Sequence, residues 1–76
     1  MLKKQRASAK VLKDLGKQIR HLRKERGLSQ EALSVTCGMF RTYLSRIENG
    51  IANPSVTVLV DLSTALGVKV TDLFAE

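Results

Sequence analysis

Five residues of this 76-residue chain have the types and spacing needed to hydrogen-bond a nucleic acid: Arg41, Thr42, Ser45, Arg46 and Asn49. On a helix they fall along one side, and none of them is apolar. Arginine carries a fork of donors that fits guanine or phosphate, and short hydroxyls and amides serve base edges or backbone. That chemistry is recognition rather than catalysis. A catalytic reading would need a nucleophile beside a base, paired carboxylates or a glycine-rich phosphate loop, and none stands at useful spacing. Cys37 has no second cysteine with which to hold a metal, and His21 has nothing nearby that makes it a ligand or a base. No enzyme activity, cofactor or metal is expected.

The elements that must hold these residues read as two short helices and a tight turn. Leu33 and Cys37 share one face of the first, about Gln30–Cys37, and Leu44 and Ile47 share one face of the second, about Arg41–Asn49. Gly38 falls between them, where a left-handed residue lets the chain turn. Small Ser34 precedes the turn, where crossing helices need close approach. A helix-turn-helix that presents Arg41, Thr42, Ser45 and Arg46 suits the major groove of DNA.

Upstream, Leu12, Leu15, Ile19 and Leu22 form an apolar stripe, while Lys10, Lys13, Lys17, Arg20 and Lys24 keep the same rhythm on another face. The spacing predicts a helix from Ala9, capped by Ser8 and closed by Gly27, after a basic arm of residues 1–8. Ser29 is the expected N-cap of the next helix. After the third helix come Gly50, a loop and Pro54. Ser55 then caps a fourth helix that buries Val56, Leu59, Leu62 and Leu66. Gly67 ends it, and a short fifth helix near 70–75 returns Leu73 and Phe74 to the core. The expected class is all-α, with five helices in one domain over residues 9–76.

Charge is distributed unevenly. Residues 1–27 balance at +8 and residues 28–76 at −2, which suits a polyanionic partner, although a solvated helix face reads the same way. The lone cysteine excludes an intramolecular disulfide, and no apolar run approaches the roughly 20 residues needed to cross a membrane. No apolar signal region follows the basic start, and a cytoplasmic location is expected.

The segments GLSQEALSVTCG, RTYLSRIENG, NPS and ALGV–DLF, in this order and spacing, resemble the Cro/cI-type (XRE-like) helix-turn-helix regulators. Within that family, RTY, NPS and the small size are most similar to controller proteins of restriction–modification systems. The resemblance implies a compact lambda-repressor-like domain with the helix-turn-helix at its second and third helices. It implies that Arg41, Thr42, Ser45 and Arg46 read bases, and that Gln30, Tyr43, Asn49 and Asn53 contact the DNA backbone. It also implies that Arg23 and Glu48 tie the first helix to the third. Phe40 departs from the family's Ser or Thr cap, so it packs inward or touches a thymine methyl, and Val35 stands where the family is usually polar.

The function expected is a transcriptional regulator binding double-stranded DNA as a homodimer joined through helices 4 and 5, on a roughly palindromic operator, with RNA polymerase a candidate further partner. The alternative on the same fold is an antitoxin or a transcription-bridging interaction module.

Overall fold

Residues 2–74 are described by a computed structural model, with side chains described from residue 8. Four α-helices follow one another: α1 (Leu2–Glu25), α2 (Gln30–Cys37), α3 (Arg41–Glu48) and α4 (Val56–Leu66). A 3-10 turn at Val70–Phe74 ends the described chain. The fifth element is therefore a 3-10 turn and not an α-helix, and Ala75 lies outside the described residues. Gly67 and the three residues after it leave too little chain for a hydrogen-bonded α-turn before Leu73 must reach the core. Asp72 instead accepts the Lys69 N–H at 2.9 Å and closes the turn locally.

Helix α1 reaches back to Leu2 rather than beginning near Ala9. Residues 2–8 contain Leu, Lys, Gln, Arg and Ala, all strong helix formers, with no breaker among them. Ser8 consequently lies inside the helix and does not cap it. With 24 residues, α1 is about 36 Å long at 1.5 Å per residue, close to the 37 Å long axis of the molecule.

The core is aliphatic. Leu15, Ile19 and Leu22 of α1 meet Leu33 of α2, Leu44 and Ile47 of α3, Leu59, Leu62 and Leu66 of α4, and Leu73. Three residues expected in this core are outside it, and of these Leu12, one turn before Leu15, is half-buried. Val56 is 72 % exposed and Phe74 is 50 % exposed. Steps of three carry a stripe about 60° around a helix each time, so Val56, at the first residue, is left well off the arc of Leu59, Leu62 and Leu66. In the 3-10 turn, successive side chains diverge by about 120°, so burying Leu73 sends Phe74 outward. Cys37 is half-buried against the core, its thiol donating to the Asp61 carbonyl at 3.6 Å.

Arg26 donates to the Leu66 carbonyl at the end of α4, and at 3.1 Å to the Leu22 carbonyl of its own helix. Two helix ends, each with unpaired carbonyls, thus share one guanidinium. Gln18 donates to the Asp72 carbonyl at 3.0 Å and fastens the 3-10 turn to α1.

Candidate nucleic-acid interface

The helix-turn-helix is built by caps at each end of α2. Ser29 Oγ accepts the Ala32 N–H at 3.0 Å. At the other end Gly38, at φ 67°, donates its N–H to the Ser34 and Val35 carbonyls. Ser34 is buried and bonds the Glu31 carbonyl at 2.8 Å, so its hydroxyl is satisfied and its small size admits the crossing of α2 and α3.

Helix α3 is divided lengthwise. Leu44, Ile47 and Glu48 are buried, while Arg41, Thr42, Arg46 and Asn49 are exposed and Ser45 is half-buried. The expected base-reading residues therefore share the solvent side of one helix. Asn49, the C-cap residue, donates to Ser45 Oγ at 3.4 Å, which holds two members of that face together. Among the described residues, Thr42 and Arg46 form no side-chain hydrogen bond. Of the four expected backbone contacts, Asn49 lies on this face and Asn53 is exposed in the loop before α4. Tyr43 is half-buried with its ring against the core, and Gln30 is half-buried at the start of α2.

Beneath this face runs a chain of polar contacts. Arg23 Nε and Nη2 donate to the two oxygens of Glu48 at 2.7 and 2.9 Å, with side-chain exposures of 9 % and 2 %. Arg23 Nη1 donates to the Leu28 carbonyl at 2.8 Å. The hydrogen bond to Glu48 holds the Arg23 guanidinium above its already high ordinary pKa. The same carboxylate accepts Gln30 Nε2 at 3.0 Å, and Gln30 Oε1 accepts Arg41 at a longer 3.4 Å. The Arg23–Glu48 tie is thus buried, and it extends through Gln30 to the first residue of α3. Sequence spacing gave no sign of the Gln30 link. The only signal was an acid, Glu48, on the arc of Leu44 and Ile47.

Gly16, unlike the glycines at helix ends, lies in the middle of α1. A Cβ there would lie 2.5 Å from the carbonyl oxygens of both Ile47 and Glu48. Its absence lets α1 seat directly on the C-terminal end of α3. The signal was present, because an isolated glycine inside an apolar helical stripe marks close backbone approach.

Electrostatically, Lys13, Arg20 and Lys24 form no ion pair among the described residues, whereas Lys10 is paired with Asp14 at 2.8 Å. Among the described residues no cluster of His, Cys, Asp and Glu could hold a metal, and no helix is long and apolar enough to cross a membrane.

Comparison with known proteins places this geometry. A family model described as helix-turn-helix, HTH_3, matches residues 19–73. The control protein C.MunI of a Mycoplasma species is 40 % identical over 62 residues, covering 80 % of this chain and 84 % of that one. The restriction–modification controller protein C.AhdI of Aeromonas hydrophila superposes with a TM-score of 0.81 at 38 % identity, covering 83 % of this chain and 96 % of that one. SinR, described as the master regulator for biofilm formation and solved in complex with DNA, superposes with a TM-score of 0.74 at 38 % identity over 78 % of this chain and 95 % of that one. With the helix-turn-helix in place and the match running from α1 through the 3-10 turn, the chain belongs to the HTH_3 helix-turn-helix family of transcriptional regulators.

Proposed function

We propose that the protein binds double-stranded DNA sequence-specifically as a homodimer, with α3 in the major groove of each half-site of a roughly palindromic operator. The observation that carries this reading is the lengthwise division of α3, with Leu44, Ile47 and Glu48 buried and Arg41, Thr42, Arg46 and Asn49 exposed. Arg41, Thr42, Ser45 and Arg46 read base edges, and an arginine bidentate to guanine contributes about 1–3 kcal/mol of discrimination. Gln30, Tyr43, Asn49 and Asn53 contact the backbone. An amide nitrogen carries two hydrogens, so Gln30 can bond Glu48 with one and offer the other to a phosphate. The SinR relative was solved with DNA, which supports the same partner here.

Pairing two copies sets the half-sites about 34 Å apart, one helical turn. The surface between copies comes from α4, the turn that follows it and the 3-10 turn, where Phe74 is exposed and Val58, Ala65, Val68 and Val70 are partly buried. Bound near a promoter, the dimer regulates by excluding RNA polymerase or by touching it.

The test is selection from a randomised DNA pool at two salt concentrations. A two-fold symmetric motif with half-sites one turn apart is the expected result. Binding without any motif, lost as salt rises, would reduce the protein to a non-specific polyanion binder.

A further inference from the structure

The recognition helix begins with an anomaly. Phe40 occupies the N-cap of α3 in extended backbone, φ −72° and ψ 142°, and makes no side-chain capping bond. Ser29 and Ser55, at the same position of α2 and α4, each accept an N–H from the first turn. Phe40 also gains nothing from burial, since it is 83 % exposed. It neither caps nor packs inward. A large aromatic group held in water at a position that favours serine is a local violation of the rules that stabilise the rest of the fold, and such violations concentrate where a protein binds.

What Phe40 can bind follows from its neighbours. The next residue is Arg41, exposed and in contact with the Gln30 amide at the start of α2. The ring thus adjoins, in sequence, a cation and an amide at the head of the helix proposed to enter the major groove, and the exposed Val35 near the turn is the only other large apolar side chain exposed in α2 or α3. Within the major groove the one apolar group on any base edge is the 5-methyl of thymine.

We infer that Phe40 is a specificity-determining residue that packs against a thymine 5-methyl at one edge of each half-site. The inference rests on the placement of α3 in the major groove proposed above. The ring excludes water from the methyl, and the base pair that carries it is distinguished from a cytosine at the same place.

The experiment uses the full chain and the operator obtained by selection, with each thymine replaced in turn by deoxyuridine. That exchange removes one methyl and leaves every base-pairing group unchanged. For the unmodified protein, one position per half-site should weaken binding about fourfold, the weight of one methyl-sized contact. Phe40→Ser should abolish the difference at that position alone, while Phe40→Leu, still apolar, should retain part of it. Phe40→Ser should also raise Tm by about 4–8 °C, because serine restores the missing cap. A wild-type protein indifferent to uracil everywhere, or a Phe40→Ser variant with the same uracil sensitivity, overturns the inference while the major-groove reading stands. A selection that yields no motif removes both.

Discussion

Replacing Gly16 by alanine isolates the seating of α1 on α3. In an ordinary helix interior, alanine is favoured over glycine by about 1 kcal/mol. Here the added Cβ would lie 2.5 Å from the carbonyl oxygens of Ile47 and Glu48, and 2.8 Å from the Glu48 carbonyl carbon. Ordinary contact begins at 3.4 Å, so the two helices must part by about an ångström. All three atoms are backbone, and none can rotate aside. Forcing a group into a packed site costs about 1–3 kcal/mol. The same displacement pulls Glu48 away from Arg23, whose bonds of 2.7 and 2.9 Å are buried, and breaking such a pair outright costs about 3–5 kcal/mol. Partial loosening of that pair is enough to outweigh the alanine preference. The expected net loss is about 1–3 kcal/mol, or a fall in Tm of about 5–20 °C for a domain of this size. Thermal melts followed by far-UV circular dichroism, wild type beside Gly16→Ala, measure it. An unchanged or higher Tm would refute the reasoning, since propensity would then have won and the close approach would be dispensable.

Other perturbations follow from the same structure. Glu48→Gln leaves the Arg23 guanidinium buried without its counter-charge and should cost about 3–5 kcal/mol in urea unfolding, whereas the paired change Arg23→Met with Glu48→Leu should recover most of it. Arg41→Ala should relax base preference at one position per half-site in a repeat of the DNA selection, and should lower the melting temperature by a few degrees, because its exposed bond to Gln30 is lost. Phe74→Glu should shift the protein from dimer to monomer in sedimentation equilibrium, and a variant that stays dimeric would place the contact elsewhere. Burial, with the Asp61 carboxylate adding to it, pushes the Cys37 thiol up. Since the thiolate is the reactive form, a raised pKa means less of it at any given pH. Alkylation of the native protein at mildly alkaline pH should run slower than that of a free thiol and reach the free rate in denaturant.

Much of the fold was legible because helix ends are chemically punctuated. Ser29 and Ser55 cap as their types require, and Gly27, Gly38, Gly50 and Gly67 all take positive φ. Where punctuation was missing or misleading, the reading failed. Nothing in residues 2–8 separates helix from coil except propensity, and Ser8 offered a cap that the backbone does not use. An α-helical period places Phe74 in the core, but its segment turns every three residues. The depth of Arg23 and Glu48 depends on four segments meeting at one point, which no local spacing encodes. The exposed residues of α3 were legible for the opposite reason. They touch little of the fold, so the helical period alone separates them from the core.

That separation bears on how such a regulator acquires a new target. Thr42 and Arg46 make no side-chain hydrogen bond with the described residues, so exchanging them should have little effect on whether the protein folds and, under the proposed function, should alter what it recognises. Arg41 is different, because Gln30 links it to the carboxylate that holds α1 to α3. Among related repressors diverging toward different operators, drift should therefore run fast at 42 and 46. Position 41 should change only in step with position 30.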